Sequence, residues 1–211
     1  TMKIIKILSL LMLTSIFSHP HYLFSQKKNK NNMNIKVATF GSGCFWCTEA
    51  IFDRIEGVIK VEPGFSGGHR KNPTYNEVVS GTTGHAEVTQ ITFDPEIVAY
   101  ETLLEIFWKT HNPTTLNRQG ADVGTQYRSI ILFHDNEQER LAKKYLSKLQ
   151  SADIWDDPIV TEIVKFEEFY PAEDYHNDYY KNNPANSYCS FVITPKVEKF
   201  EKIFKDKLKK E

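Results

Sequence analysis

The chain has little of several features that would define a function class on their own. Its 211 residues contain three Cys and three Met, and 26 basic against 27 acidic side chains give a formal net charge of −1. Three cysteines are too few for a disulfide framework, and a balanced charge gives no basic surface for nucleic acid. With 40% hydrophobic and 25% charged residues, the composition is that of a globular protein. Any chemistry must therefore reside in a local site, and we expect no nucleic-acid partner.

The first 33 residues differ from the rest in charge. They carry five Lys and no acid, so 21 of the 26 basic and all 27 acidic residues fall in 34–211, a net charge of −6. Lysines precede the uncharged run Ile7–Phe17, which is too short to span a bilayer. This order is typical of a secretory signal. We predict a signal peptide over 1–25, a polar linker over 26–33 and one catalytic domain over 34–211.

That interpretation has an alternative and a consequence for location. The N-terminal segment could instead stay on the protein, disordered or tethering it to a membrane. If the signal is genuine, we expect export to the bacterial periplasm or cell envelope, and otherwise a cytoplasmic protein.

Beyond the N-terminal segment, predicted strands and helices alternate. Strands are predicted at Ile35–Phe40, Val58–Glu62, Ala86–Phe93, Arg128–Phe133 and Val160–Phe166, and helices at Phe45–Ile55, Tyr75–Val79, Thr102–Thr110, Glu137–Gln150 and from Pro195 onward. A glycine-containing turn is predicted at Gly64–Gly68. This mixture favours an α+β fold, a two-layer α/β sandwich with helices on a mixed sheet. The pattern does not give the strand order.

Cys44 and Cys47 form a Cys-x-x-Cys pair between a predicted strand and a predicted helix. The unpaired backbone N–H groups and the dipole at a helix N-terminus favour a thiolate, so we expect Cys44 to be the nucleophile with a lowered pKa. At a reference pKa near 8.5 only about 3% of a thiol is ionised at pH 7. Cys47 lies about one helical turn away, within reach for a disulfide.

Three other interpretations of the pair stay open. It could be half of a zinc site, although the chain offers no second pair. The two thiols could be buried and structural. The motif could also belong to a thioredoxin-like oxidoreductase, where two bulky aromatics between the cysteines, Phe45 and Trp46, would be unusual. These aromatics could be core residues or the wall of an apolar pocket.

A carboxylate stands where an apolar side chain is expected. Period-two alternation puts Glu87 on the same strand face as Ile91 and Phe93. Burial there would raise its pKa and make it a general acid. The alternative is a strand-end Glu whose carboxylate reaches water. Asp122 and Tyr127 lie in a Gly-rich loop, and the tract 170–176 is aromatic and acidic.

Several segments together resemble the A-type peptide methionine sulfoxide reductases, whose reaction reverses methionine oxidation. The resemblance covers about Ile35–Lys207 and is carried by Gly43-Cys44-Phe45-Trp46, Gly64–Gly68, Pro73-Thr74-Tyr75, Gly84-His85-Ala86-Glu87, Gly124–Ser129 and Tyr175-His176. Each segment alone is weak, whereas their joint order and spacing are specific. The resemblance implies a ferredoxin-like core with added helices and strands.

The resemblance also implies a mechanism. Cys44 would attack the sulfur of the S epimer of methionine sulfoxide, free or in a peptide, while Glu87 protonates or hydrogen-bonds the departing oxygen. Tyr75, Tyr127 and Asp122 would help to hold that oxygen, and Phe45 and Trp46 would enclose the substrate's S-methyl group. A sulfenic acid on Cys44 would be resolved as a disulfide and reduced by thioredoxin or a similar dithiol protein.

The resolving cysteine is the thiol that attacks the sulfenic acid to form the disulfide. At this residue the sequence departs from many family members, which carry Gly in place of Cys47. Cys47 is our first choice and Cys189 the second, and a relay from Cys44 through Cys47 to Cys189 is a further option. Cys189 could instead be a buried structural thiol. We expect no cofactor, no metal and a monomer. The competing classes are a general thiol–disulfide oxidoreductase and a zinc-stabilised binding module.

Overall fold

The computed structural model describes residues 34–210. The predicted signal peptide and linker therefore lie outside the described residues. The strands are β1 (Lys36–Ser42), β2 (Val58–Ser66), β3 (Ala86–Phe93), β4 (Arg118–Gln119), β5 (Asp122–Val123), β6 (Ser129–Phe133), β7 (Glu162–Lys165) and β8 (Tyr170–Pro171). The α-helices are α1 (Phe45–Phe52), α2 (Tyr75–Val79), α3 (Tyr100–Thr110), α4 (Asn136–Ser151), α5 (Tyr179–Asn182) and α6 (Thr194–Ile203).

One sheet of six strands organises these residues. Its order is β7-β6-β1-β3-β2-β8. All neighbours pair antiparallel except β6 and β7, which are parallel, so the sheet is mixed as predicted. The four central strands are β6, β1, β3 and β2. If these four are numbered by their order along the chain, their order across the sheet is 4-1-3-2. That arrangement, with α1 after β1 and α3 after β3, is the ferredoxin-like core, and β7, β8 and the remaining helices are additions to it.

The helices cover one face of the sheet. Phe40 of β1 packs there against Phe52 of α1 and Phe107 of α3, and all three are fully buried. The opposite face is covered by Phe166 and Phe169 from the segment after β7. Glu87 lies in β3 at an even spacing from Ile91, on the helix-covered face. The sheet therefore points this carboxyl group toward the helix layer.

Local turns explain where the predicted elements were wrong. The predicted helix Phe45–Ile55 ends at Phe52, because residues 53–57 turn toward β2 and Gly57 adopts a φ of 87°. β2 continues through Ser66, into the segment predicted as a turn, because Gly64, Phe65 and Ser66 pair with the start of β3. The turn itself is confined to Gly67 and the residues after it. The short strands β4, β5 and β8 and the helix α5 were not predicted.

Among residues 34–210, every helix is too short or too polar to cross a bilayer.

Gly68 is the position at which the turn and the start of β3 come closest. A Cβ added to Gly68 would collide with the backbone N of His85 and lie 2.5 Å from the carbonyl O of Thr83. Neither backbone atom can move without shifting β3, whose second residue is Glu87. The glycine is thus required by close approach of two backbone segments.

We predict that Gly68→Ala lowers the free energy of unfolding by about 1–3 kcal/mol, the usual cost of forcing extra volume into a packed site. Urea unfolding measures this loss. Thr82→Ala is the control, because Thr82 is exposed on the same loop. Equal stability of the Gly68 variant and the native chain would contradict the close packing described here.

Candidate active site

A cavity of about 280 Å³ opens at the N-terminal end of α1. It is lined by seven residues predicted from the sequence (Cys44, Phe45, Trp46, Tyr75, Glu87, Asp122 and Tyr127) and by three that were not predicted (Tyr179, Asn186 and Tyr188). A larger surface groove of about 870 Å³ lies beside Arg54 and Glu201 and contains none of the predicted residues. The clustering of reactive side chains, not the volume, therefore identifies the smaller cavity as the candidate site.

Cys44 caps the N-terminus of α1. Gly43, which precedes it, has a φ of 96°, and a Cβ added to Gly43 would lie 2.6 Å from Cβ of Gln119. Glycine is therefore required at this position. The carbonyl of Cys44 accepts the backbone N–H of Cys47 at 3.1 Å, which closes the first turn. Cys44 is only 8% exposed, yet its side chain lines the cavity.

The Glu87 carboxyl group, rather than the Cys44 thiol, takes the first free N–H of the helix. The backbone N–H of Phe45 donates to Oε2 of Glu87 at 3.1 Å. Glu87 is 1% exposed, so the alternative of a carboxylate that reaches water is wrong. Burial raises the pKa of Glu87 to about 8, and the nearby charges of Asp122 and Cys47 add to this rise, against the lowering effect of the Phe45 hydrogen bond. The carboxyl group is therefore protonated at neutral pH.

Burial also reverses the expected order of the two thiols. The pKa of Cys44 is raised well above its usual value by burial, by the hydrogen bond with Cys47 and by the neighbouring Glu87. The pKa of Cys47 falls to about 7, chiefly through the hydrogen bond from Cys44, with further lowering by Lys196 and Tyr188. The expectation that Cys44 has the lowered pKa is thus wrong, because burial of the thiol outweighs the stabilisation expected at a helix N-terminus. Of the two thiols, Cys47 is the one that ionises near neutral pH.

Two tyrosines complete the polar side of the cavity. Burial, together with the neighbouring Glu87, raises the pKa of Tyr75 and brings that of Tyr127 to about 12. Both phenols are consequently protonated hydrogen-bond donors at neutral pH. Asp122 is engaged by a third phenol, because Tyr188 Oη donates to its Oδ2 at 2.6 Å.

The opposite side of the cavity is aromatic. Trp46 stacks on Tyr179 with ring centroids 3.7 Å apart and planes 5° from parallel. Its indole N–H donates to Nδ1 of the buried His176 at 3.0 Å, which fixes the orientation of the ring. Phe45 packs edge-on against the same histidine and near the ring of Tyr75. This wall suits a small apolar group such as a methyl.

Cys189 does not reach the cavity. It is fully buried at the start of a π-helical turn, Cys189–Ile193, that leads into α6. It belongs to the same core cluster as Cys44 and Cys47, and its pKa is raised by burial and by Cys47. All three cysteines are free thiols in the structure.

Within residues 34–210 no group of three or more His, Cys, Asp or Glu side chains is arranged to hold a metal ion. The zinc interpretation of the Cys-x-x-Cys pair therefore lacks further ligands in this part of the chain. That the protein needs no metal stays a prediction.

The sequence did not predict Tyr179, Asn186 and Tyr188 in the cavity wall, or Lys196 beside Cys47. All four come from the last forty residues, where α5, the π-helical turn and α6 pack against α1. In the aromatic and acidic tract 170–176, His176 is fully buried and packs against Phe45 and Trp46 of the aromatic wall. No local motif predicts the four residues that follow this tract.

The fold and the site together define a thiol-dependent oxidoreductase with a protonated carboxyl group beside its cysteine pair. A family model described as peptide methionine sulfoxide reductase matches residues 36–208. The chain belongs to that family, and it is a peptide-methionine (S)-S-oxide reductase of the A type.

Individual relatives agree with this assignment. A peptide methionine sulfoxide reductase MsrA from Saccharolobus solfataricus is 57% identical over 175 residues, which cover 83% of this chain and 98% of the relative. The MsrA of Leptospira borgpetersenii is 52% identical over 168 residues, covering 80% and 94%.

Solved structures show the same fold. The reduced form of Mxr1 from Saccharomyces cerevisiae matches with a TM-score of 0.67 at 33% identity, covering 74% of this chain and 89% of that one. Methionine sulfoxide reductase A of Corynebacterium diphtheriae matches with a TM-score of 0.66 at 34% identity, covering 74% and 78%.

We predict that Glu87→Gln lowers the rate of methionine formation by about 10²–10⁴-fold, the usual contribution of a general acid. Gln keeps the size and the acceptor for the Phe45 N–H but has no proton to transfer. In the native protein this rate should also fall as the pH rises through about 8, where Glu87 loses its proton.

Quenched-flow measurement of methionine in a single turnover, with a peptide containing the S epimer of methionine sulfoxide, tests both statements. Glu77→Gln is the matched control, since Glu77 is a carboxylate at the exposed start of α2. A native rate in Glu87→Gln, or the same alkaline fall in that variant, would contradict the role of the carboxyl group.

Proposed function

We propose that the protein reduces the S epimer of methionine sulfoxide, peptide-bound or free, through a sulfenic acid on Cys44 and an intramolecular disulfide with Cys47. The observation that carries this mechanism is the placement of Cys44, protonated Glu87 and two phenols around one cavity with an aromatic wall. Cys44 is the attacking thiol despite its raised pKa, because it lines this cavity whereas Cys47 does not.

In the first step the sulfoxide oxygen lies among Glu87, Tyr75 and Tyr127, and the substrate's S-methyl group lies against the aromatic wall. Glu87 donates its proton to the oxygen while the Cys44 sulfur attacks the sulfoxide sulfur, and the thiol proton of Cys44 replaces the proton on Glu87. This attack forms a bond between the two sulfurs. The S–O bond of the substrate then breaks and the hydroxyl bonds to the Cys44 sulfur, while the bond between the two sulfurs breaks and leaves its electron pair on the methionine sulfur. Thiol and sulfoxide thus become sulfenic acid and thioether, with one proton passing through the carboxyl group. The methionine is released.

In the second step Cys47 attacks the sulfenic sulfur of Cys44. The S–O bond breaks, the oxygen takes a proton and leaves as water, and a Cys44–Cys47 disulfide forms. Cys47 suits this step because it is one helical turn from Cys44 and, with a pKa of about 7, is about half ionised at pH 7. Cys189 is the weaker candidate for resolution, because the Cys47 thiol is already hydrogen-bonded to the Cys44 thiol and has the lower pKa.

An external dithiol protein, thioredoxin or one like it, then reduces the disulfide. The reaction needs no further cofactor, since thiols supply both electrons, and one chain supplies every group the mechanism uses, which is consistent with a monomer. If the N-terminal segment directs export, the reductant must be a dithiol protein of the periplasm or cell envelope. Repair of oxidised proteins is the corresponding biological role.

We predict that Cys47→Ser forms one methionine per protein and then stops, because the sulfenic acid has no resolving thiol. Steady-state turnover with thioredoxin should fall by at least about tenfold, the size of effect expected when a reacting thiol is lost. Methionine counting and thiol titration with and without thioredoxin measure both quantities.

Cys189→Ser is the variant that separates the two resolving candidates. It should recycle at the native rate and form a disulfide that peptide mapping locates between Cys44 and Cys47. Native turnover by Cys47→Ser, or a block caused by Cys189→Ser alone, would show that the resolving cysteine is not Cys47.

A further inference from the structure

Lys196 lies beside Cys47, outside the cavity in which Cys44 meets the substrate. It lies on α6 with its Nζ 3.9 Å from Sγ of Cys47, and it is half-buried. Tyr188 approaches the same sulfur, with its Oη 4.0 Å from Sγ. Cys189, in the π-helical turn that precedes α6, belongs to the same buried cluster as Cys47.

We propose that Lys196 is a positioning residue for Cys47: its ammonium group holds the Cys47 thiolate for attack on the Cys44 sulfenic acid and later stabilises the same thiolate as the leaving group. This inference rests on the proposed resolving role of Cys47. Lys196 does not line the substrate cavity, so it acts through Cys47.

The groups around Cys47 work in opposite directions. The Cys44 thiol, the Lys196 ammonium and the Tyr188 hydroxyl favour the Cys47 thiolate, whereas burial and the Asp122 carboxylate oppose it. Of the three groups that favour the thiolate, Lys196 is the one that carries a full positive charge.

Three further groups face this pair from neighbouring elements. Glu87 and Cys189 interact with the Cys47 sulfur from β3 and from the π-helical turn. His111 lies near Lys196 at the end of α3, where burial lowers its pKa to about 4. The histidine is consequently neutral at neutral pH and does not compete with the lysine as a cation.

The same charge helps when the disulfide is reduced. Cys44 lines the cavity, whereas Cys47 is 3% exposed and Cys189 is fully buried. An incoming thiolate of the dithiol donor therefore reaches the Cys44 sulfur. A new S–S bond forms to Cys44, the Cys44–Cys47 bond breaks, and its electron pair stays on Cys47 as a thiolate beside Lys196. The second thiol of the donor then releases Cys44 and leaves the donor oxidised. A thiolate of low pKa is the better leaving group.

The experiment compares Lys196→Met, which removes the charge, with Lys196→Arg, which keeps it. Lys199→Met is the matched control, because Lys199 is an exposed lysine of the same helix. The first readout is thiolate absorbance against pH in a protein that also carries Cys44→Ser and Cys189→Ser, where Cys47 is the only cysteine and the serine introduced at position 44 retains a hydroxyl donor. The second readout is the single-turnover rate of disulfide formation, with methionine formation followed in parallel.

We expect Lys196→Met to move the titration midpoint of Cys47 upward by about one pH unit, the lower end of the effect of a close opposite charge. The thiolate fraction at pH 7 then falls about fivefold, and disulfide formation slows at pH 7 but recovers above about pH 9. Lys196→Arg should restore the midpoint, and Lys199→Met should leave it unchanged.

An unmoved midpoint in Lys196→Met, or an equal shift in Lys199→Met, would overturn the assignment. Methionine formation distinguishes this failure from a failure of the proposed function. A native methionine burst with an unmoved midpoint rejects only Lys196, whereas absence of the burst in the protein with native cysteines rejects the Cys44 chemistry itself.

Discussion

The site depends on the removal of the Glu87 carboxyl group from water. β3 alternation turns this side chain toward the helix layer, and α1 begins directly above it, so that the backbone N–H of Phe45 donates to the carboxyl group. One neutral donor does not compensate for the lost hydration of a carboxylate, and the group retains its proton at neutral pH. A protonated acid at the end of an aromatic cavity is what the departing oxygen of a sulfoxide requires.

The same arrangement divides the work between the two cysteines at the start of α1. Burial, the hydrogen bond with Cys47 and the neighbouring Glu87 raise the pKa of Cys44, so it stays a thiol until substrate arrives. The pKa of Cys47 falls instead to about 7, with a hydrogen bond from Cys44 and the ammonium of Lys196 beside it. The thiol that meets the substrate thus keeps its proton, while about half of the thiol that must act second is ionised at pH 7. The proton of Cys44 is the one that replenishes Glu87.

Much of this site could be predicted from the sequence, because its central parts are local. Glu87 was found by period-two alternation, and the cysteine pair and both aromatics lie within four consecutive positions that start a helix. The relative order of the thiol pKa values could not be predicted, since it depends on the burial of Cys44 and on charged and polar groups that come from distant parts of the chain. Tyr179, Tyr188 and Lys196 were missed for the same reason. They reach Trp46 and Cys47 from more than 130 residues away, by packing that no local pattern encodes. The ferredoxin-like strand order likewise became visible only from the pairing of the strands.

The protonation of Glu87 at neutral pH is tested most directly by following the side-chain carboxyl resonance of Glu87 by NMR in isotope-labelled protein as the pH is raised. The resonance is assigned by its disappearance in Glu87→Gln. We predict a titration midpoint near 8. A midpoint near the ordinary glutamate value of 4.5 would contradict it, because the carboxyl group would then be ionised at neutral pH and could not supply the proton to the sulfoxide oxygen.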